Sequence, residues 1–271
     1  MRLVIVSSLA RAARCICQNR KRIAGMAYQD FRKKYLGSYA GLVWAFAQPL
    51  CTVFVYWFVF SVGLKTGQVN GVDFFVWMIC GLTPWFFINE SLGASTVVVR
   101  EYSFLVKNMS VDFIFLPLVK VASATITHIF FVLLTCFVAK YNGIDMSISM
   151  IQVVYYTLCT QLLCIGLSWV TSSVNVFVND VEHAVGVILQ FLFWMTPVVW
   201  PVQSLPSAYQ WVVKLNPFYY IVSGYRDAIL FGQWFWARPV ETAYFWGVTL
   251  CVLAIGATVF SKLRPHFADV L

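Results

Sequence analysis

The sequence predicts an all-α integral membrane protein, and three observations support that prediction. Hydrophobic residues make up 61% of the 271-residue chain, 11% of its residues are charged, and its mean hydropathy is +0.77. Soluble globular domains carry roughly 25% charged residues. Several apolar runs also reach the ~20 residues that a helix needs to cross a bilayer. We therefore expect a single membrane domain with no separate water-soluble domain.

Six apolar runs can be drawn along the chain, and we predict a transmembrane helix in each. The first run carries no charge, and only Glu90 interrupts the second. The predicted spans cover residues 35–64, 74–99, 113–139, 146–176, 184–202 and 240–261.

The segment 203–238, between the last two predicted spans, contains the stretch LNPFYYIVSGYRDAIL. A seventh span here would place Arg226 and Asp227 in hydrocarbon, at a cost of roughly 2.5 to 3.5 kcal/mol each at the centre. Proline and glycine also divide the segment into pieces too short to cross. We therefore predict a re-entrant helical pair that returns to the face from which it enters.

The distribution of Lys and Arg predicts the orientation. Nine basic residues precede the first span, and an even number of spans places this segment and the tail 262–271 on the same face. The positive-inside rule then puts both termini in the cytoplasm. Residues 1–34 interleave basic and apolar side chains, which predicts a helix along the cytoplasmic interface, with a disordered basic arm as the alternative. This placement accounts for the net charge of +8, so we expect no nucleic-acid partner.

The sequence contains no pattern typical of a catalytic or metal centre. The H-E-x-x-H and G-x-S-x-G motifs and a phosphate-binding glycine loop are missing from it. Six of the eight cysteines lie in apolar runs, where a thiol behaves as a small hydrophobic group. We therefore predict no catalytic residue, no metal and no cofactor in this chain. Asp180, Glu182 and His183 keep open the alternative of a membrane-bound glycan-modifying acyltransferase.

Aromatic residues form 18% of the chain, and the first span holds more of them than two interfacial belts need. Helix packing and lipid contact are one interpretation. A conduit wall is the other, because aromatic faces can pack against the C–H faces of sugars and leave the hydroxyl groups free. On this interpretation the conduit is lined by Phe46, Phe54, Trp57, Phe191, Trp194 and Met195.

Four sequence blocks resemble the membrane subunits of ABC exporters for O-antigen, teichoic acid and capsule, the O-antigen type most closely. They are FRKKYLGSYAGLVWAFAQPL (31–50), VFVNDVEHAVGVILQFLFWMTPVVWP (176–201), LNPFYYIVSGYRDAILFG (215–232) and LRPHFADVL (263–271). The blocks follow the family's order from end to end of the chain. One departure is Asn179, where many relatives carry a basic residue.

The resemblance implies a permease subunit of the bacterial inner membrane that exports a lipid-linked polysaccharide. It implies pairing with a second copy of the chain and with two copies of a separate ATPase, which binds the ATP and Mg²⁺. An exporter of small hydrophobic drugs or peptides is the alternative within transport. The connection 100–112 is expected to contact the ATPase through Arg100, Glu101, Tyr102, Phe104, Leu105 and Lys107. The re-entrant pair is expected to close the outer mouth, where sugars or the carrier diphosphate would meet Asn216, Pro217, Tyr219, Tyr220, Tyr225 and Arg226.

Overall fold

The computed structural model of the chain describes residues 2–36, 41, 43–104 and 113–271. These residues form ten α-helices and one short β-hairpin, together with brief 3-10 and π-helical turns. In chain order the helices are α1 (Arg2–Leu36), α2 (Val43–Trp57), α3 (Phe74–Glu101), α4 (Leu116–Tyr141), α5 (Gln152–Asn175), α6 (Val181–Met195), α7 (Ser207–Lys214), α8 (Pro217–Arg226), α9 (Pro239–Leu263) and α10 (Phe267–Val270). A π-helical turn, Phe58–Gly63, extends α2.

The hairpin fixes the start of α3. Strands β1 (Gln68–Val69) and β2 (Val72–Asp73) pair antiparallel around a two-residue loop. Both loop residues, Asn70 (φ 51°) and Gly71 (φ 80°), lie in the left-handed region that such tight hairpins require. The Asp73 carboxylate then accepts a 2.8 Å hydrogen bond from the Phe75 amide and caps the first turn of α3.

Helix α3 is the axis of the bundle, and α4 returns antiparallel along it. The hydroxyl oxygens of Thr83 and Thr135 lie 2.6 Å apart, whereas Ser95, a dozen residues further along α3, donates to the Pro117 carbonyl near the start of α4. Most of the α3 residues are buried, because α4, α5, α6 and α8 all contact this helix. Polar residues at the middle of α3 can therefore find partners inside the protein.

Helices α5 and α9 run parallel at close range because glycine forms their contact. A Cβ atom added to Gly256 would lie 2.3 Å from the carbonyl oxygen of Gly166. Near the start of both helices, the Trp246 indole donates to the Tyr155 hydroxyl at 2.9 Å. The backbones of α5 and α9 thus approach as closely as small residues permit.

The two ends of the bundle have separate hydrophobic cores. At one end, called the α1 end here, α1 packs on α4 and α9, and residues from the later parts of α3 and α5 belong to the same hydrophobic core. At the other, the α8 end, α8 packs among the first halves of α3, α5 and α9. The core at the α1 end includes Ile23, Ala27, Val98, Phe115, Trp169 and Phe260, and the core at the α8 end includes Trp77, Tyr156, Phe193, Tyr225 and Phe245.

Within the described residues, four helical stretches are long and apolar enough to cross a membrane by length and composition. They are Val43–Gly63, Phe113–Tyr141, Ile148–Asn175 and Pro239–His266. Helix α3 has 28 residues and is about 42 Å long at 1.5 Å per residue. Its middle contains more polar residues, which are tolerated because other parts of the protein surround this helix. Helix α6 is a shorter apolar helix of 15 residues. The prediction of an all-α membrane protein is confirmed, and the count of six spans stays a prediction.

Three helix boundaries differ from the sequence expectations. The predicted run 184–202 is helical only as far as Met195, because Pro197 favours an extended conformation at Thr196, where ψ is 136°. Helix α1 continues to Leu36, beyond the predicted interfacial segment. The segment 203–238 contains α7, α8 and a π-helical turn that ends at Gly232, whose φ of 63° is accessible to glycine at little cost.

Candidate functional site

A cavity of about 670 Å³ opens between α2, α3, α4 and α6. Its wall mixes aromatic rings with neutral amide, hydroxyl and imidazole groups. The polar groups belong to Gln48, Thr52, Thr83, Asn89, Thr127, His128 and Gln190, and the rings to Trp44, Tyr56, Trp85, Phe86, Phe87, Phe131, Phe193 and Trp194. Such a wall can exchange hydrogen bonds with hydroxyl groups while its rings cover C–H surfaces.

One face of α2 forms the first side of this cavity. Ala45, Gln48, Thr52 and Tyr56 recur every three or four residues, which places them on one stripe of a helix with 3.6 residues per turn. Phe54 lies two residues from Thr52, about 200° around the helix. Its side chain is accordingly exposed on the opposite face.

Of the six aromatic and Met residues predicted to line a conduit, the structure brings Trp194 to this cavity. Phe46 packs instead against α4, with its ring centroid 4.2 Å from that of Phe130. The other four, Phe54, Trp57, Phe191 and Met195, are exposed on the surface of the single chain. An all-apolar span gives no periodic signal for one face, so sequence alone did not assign these orientations. Their place in a conduit stays a prediction.

An ion pair lies at the α1 end of the cavity. The Lys34 ammonium is 2.5 Å from a carboxylate oxygen of Glu90, and both residues line the cavity. The Lys34 side chain is 45% exposed and that of Glu90 is 22% exposed. Among the described residues that line the cavity, Lys34 and Glu90 are the only Lys, Arg, Asp or Glu.

A second ion network joins three helices at the α1 end. The Lys120 ammonium, on α4, lies 2.6 Å from the Asp30 carboxylate of α1 and 2.7 Å from the Glu101 carboxylate at the end of α3. Lys120 and Asp30 are buried, whereas the Glu101 side chain is 49% exposed. The Tyr102 ring lies 5.7 Å from the ammonium, and burial raises the pKa of its phenol to about 12. Tyr102 therefore stays a neutral group beside the network at pH 7.

The residues predicted to contact an ATPase fall partly in this region. Arg100 lies in the last turn of α3, and Phe104 is exposed just beyond Tyr102. Glu101 forms an ion pair with Lys120. Leu105 and Lys107 lie outside the described residues. The coupling role of all six stays a prediction.

Arg226 is a structural clamp at the α8 end. Its Nε donates to the Trp77 carbonyl at 3.2 Å, and its Nη1 and Nη2 donate to the carbonyls of Pro197 and Val198 at 2.7 and 2.6 Å. The guanidinium carbon lies 3.4 Å from the centroid of the Trp77 ring, and the residue is 5% exposed. These contacts hold α3, α8 and the turn after α6 together. This is the role that the geometry shows for Arg226, and its contact with a diphosphate stays a prediction.

The other predicted gate residues also have partners within the chain. The Tyr220 hydroxyl lies 3.1 Å from that of Tyr155, and the Tyr225 hydroxyl lies 2.8 Å from His128 Nε2. The Asn216 side chain caps α8, with Pro217 at its first turn. Tyr219 is buried and, with Arg226, lines a smaller cavity of about 190 Å³ at the α8 end.

Comparison with known proteins decides the family. A family model described as ABC-2 type transporter matches residues 23–230. The chain belongs to this family. A protein named O-antigen export system permease protein RfbA from Klebsiella pneumoniae is 24% identical over 245 residues, which is 90% of this chain and 92% of the relative. A protein of the same name from Myxococcus xanthus is 22% identical over 263 residues, covering 96% of this chain and 99% of the relative.

Membership of the ABC-2 family makes the chain a transport subunit of a membrane ABC transporter, which works with an ATPase subunit. The acyltransferase alternative loses its support, and Asp180, Glu182 and His183 are exposed side chains near the start of α6. Within the described residues of this ABC-2 subunit, no group of three or more His, Cys, Asp and Glu could hold a metal ion.

The sequence reasoning did not identify the charged pairs of this ABC-2 subunit. Asp30 is hidden among the basic residues of α1, so its burial against Lys120 leaves no sequence pattern. Glu90 and Lys120 did leave a signal, since each is a charge inside an otherwise apolar run. A charge in such a run marks a functional position by default and needs a named partner. Only the folded chain supplies the partners.

Proposed function

We propose that this ABC-2 subunit exports a lipid-linked polysaccharide of the O-antigen type across the bacterial inner membrane, driven by ATP hydrolysis in a separate subunit. The cavity between α2, α3, α4 and α6 is the main support, because its rings and neutral polar groups suit a chain of sugars. The names of relatives that align with at least 90% of this chain agree with this substrate class. The nucleotide and Mg²⁺ would bind the ATPase subunit, and this chain would hold no cofactor.

The proposed topology has six spans, with both termini in the cytoplasm. The spans would be α2, α3, α4, α5, α6 and α9, and α7 and α8 would form the re-entrant pair. Helix α6 covers only about 22 Å of the ~30 Å hydrocarbon core. The extended segment after it would cover the rest, which is tolerated because Thr196, Val198 and Val199 are buried in protein.

The proposed assembly contains two copies of this chain and two ATPase subunits. In the most apolar 18 residues of α2 and its π-helical extension, 11% of the residues are buried within the chain. The corresponding fraction is 28% to 44% in the other three apolar stretches. Helix α2 therefore has the most surface left for another chain. A second copy would also bring the exposed Phe54, Trp57 and Phe191 to a shared boundary, where the predicted conduit could form. The ATPase would dock on α1 and the connection 100–112.

Deletion of the gene tests the substrate class. We expect loss of surface polysaccharide and accumulation of lipid-linked polymer inside the cell, both restored by the wild-type chain. Thr52→Trp should block the cavity and fail to restore surface polymer. Leu133→Trp, on an exposed face of α4 that does not line the cavity, is the matched control. Intact surface glycan in the deletion strain would reject the substrate class. Full export by Thr52→Trp would reject the cavity as the path of the polymer.

Thiol labelling tests the topology. In a cysteine-free variant, Gln68→Cys, at an exposed position of strand β1, should react with an impermeant maleimide added to intact spheroplasts. Lys262→Cys, near the end of α9, should react only after the membrane is opened. Equal labelling of both positions in sealed spheroplasts would contradict an even number of spans.

A further inference from the structure

We infer that Lys34 and Glu90 form a phosphate-binding site at the mouth of the cavity, where the head group of the carrier lipid displaces Glu90 from Lys34. The inference rests on the proposed function, since it names the part of the substrate that this mouth recognises. A lipid-linked polysaccharide has a neutral polar portion and an anionic phosphate linkage. The aromatic and amide wall suits the first, and a cationic side chain suits the second.

The position of the pair supports this assignment. Lys34 and Glu90 line the same cavity as Trp44, Gln48 and Asn89, so a ligand entering at this end would reach both charges. They are the only Lys, Arg, Asp or Glu among the described residues of the lining.

The exposure of the pair allows exchange. The Lys34 and Glu90 side chains are 45% and 22% exposed, in contrast to the buried pair of Lys120 and Asp30. Ion pairs exposed to this degree contribute little to stability, so an incoming anion can replace Glu90 without a large loss of stability. A lysine ammonium also keeps three donors on a flexible stem, which suits a partner that arrives and leaves.

The surrounding charge favours an anion over a cation. Arg32 and Lys33 precede Lys34 at the end of α1, and both side chains are exposed. Asp30, the nearest acidic residue in sequence, is buried and paired with Lys120. Arg32 and Lys33 therefore add positive charge at the end of α1, and within the described lining Glu90 is the acidic group that a phosphate must displace.

The role of Glu90 follows from the need to release the substrate. A lysine without a competitor would hold a doubly charged diphosphate after the polymer has begun to move. Glu90 competes for the same ammonium, so it lowers the affinity and recovers its partner once the head group has left. Binding in a transport route must be strong enough for entry and weak enough for exit. Opposite effects are therefore expected on removing the two charges.

A binding experiment separates this site from a structural ion pair. The complex of this chain with its ATPase, in phosphatidylcholine nanodiscs, would be titrated with tritiated geranylgeranyl diphosphate and bound label counted by scintillation proximity. Lys34→Gln should weaken binding about tenfold, because it removes a charge-assisted contact. Glu90→Gln should tighten binding several-fold and slow export of polymer in cells. A purely structural pair predicts that both variants change binding in the same direction or leave it unchanged, and either result would overturn the inference.

The chain provides a matched control pair. Lys214 and Glu241 lie at the α8 end, 3.5 Å apart and with side-chain exposures of 46% and 23%, close to those of the mouth. Lys214→Gln and Glu241→Gln should leave diphosphate binding at the wild-type level. An equal loss in these controls would show a general effect of net charge and would also reject the site.

Competition experiments identify the source of the phosphate. Inorganic diphosphate should compete with the labelled probe, since it offers the same charged group. Phosphatidylglycerol at the same mole fraction should compete poorly, and full displacement by it would reject the carrier lipid as the ligand. Diphosphate binding with intact surface glycan in the deletion strain would separate the two proposals, because the export proposal would fail while the site remained.

Discussion

The two ends of α3 are both held by a buried cation, but the acceptors differ. At the α8 end, Arg226 donates to three backbone carbonyls and stacks on Trp77. At the α1 end, Lys120 lies between two carboxylates, one buried and one half-exposed. Backbone carbonyls have fixed positions, and the planar guanidinium of an arginine must match them. A lysine ammonium can donate hydrogen bonds in many directions. The comparison indicates a rigid end and an end that can respond to a partner.

The largest effect is expected from loss of the arginine clamp. Arg226→Met would leave three carbonyl groups without their donor in a buried region, at a cost of about 3 kcal/mol or more. The variant should melt far below the wild type in detergent, as measured by the loss of a monodisperse gel-filtration peak on heating. Arg226→Lys should recover part of the stability but not the contact with Trp77. A wild-type melting temperature for Arg226→Met would contradict the clamp.

A glycine beside the clamp should show a smaller effect than loss of the clamp itself. A Cβ atom on Gly81 would lie 2.3 Å from Arg226 Nη2 and 2.7 Å from the Val198 carbonyl oxygen. Gly81→Ala should therefore cost about 1 to 3 kcal/mol through overpacking. Gly93→Ala on the same helix is the control, since a Cβ there meets no atom within 4 Å. Similar melting temperatures for the two variants would refute the close approach.

Lys120, at the α1 end of α3, allows a test of the buried ion pair with Asp30. Lys120→Met would leave the Asp30 carboxylate buried without its cation, with an expected loss of about 3 kcal/mol. Lys120→Met combined with Asp30→Asn should recover stability, because it removes both charges. Thermal unfolding of the single and double variants measures the difference. No recovery in the double variant would show that the pair is not the source of the loss.

The smallest stability effect is expected at Glu101, together with a change in function. Its side chain is 49% exposed, so Glu101→Gln should cost less than about 1 kcal/mol. If the end of α3 transmits movement from the ATPase, this variant should hydrolyse ATP at a near wild-type rate while exporting less polymer. Lys214→Gln at the α8 end is a control for charge removal. Unchanged export at unchanged stability would remove Glu101 from the coupling role.

The two ends also differ in how well sequence reasoning described them. The Arg and Asp of LNPFYYIVSGYRDAIL argued against an ordinary lipid-exposed helix, and the structure gives Arg226 backbone acceptors within the protein, while its ligand role stays a prediction. Its acceptors come from residues far away in the chain, and backbone carbonyls leave no trace in composition. At the α1 end, the basic residues of α1 predicted an interfacial helix, while the buried Asp30 among them passed unnoticed.

The cavity shows the same limit. Eight aromatic residues line the cavity, and Trp194 is the one among them that the conduit prediction named. The conduit role of the six named residues stays a prediction, because aromatic and aliphatic residues lie on several faces of α2 and α6 and do not single out one of them. The polar stripe through Gln48 and Thr52 was the available signal for the inward face. In lipid, an amide or hydroxyl turned inward costs less than one turned outward, so polar positions orient such a helix better than aromatic ones.

By itself the sequence determined that this protein lies in a lipid bilayer, that it is helical, roughly where its long apolar helices lie and, by resemblance, its family. These depend on composition and on local patterns, because lipid forces every backbone group to be satisfied within a helix. The tertiary structure alone decided which charges meet, which face of each helix borders the cavity and where α6 gives way to an extended chain. Those features depend on contacts between distant segments, whose geometry exists only after the helices have packed.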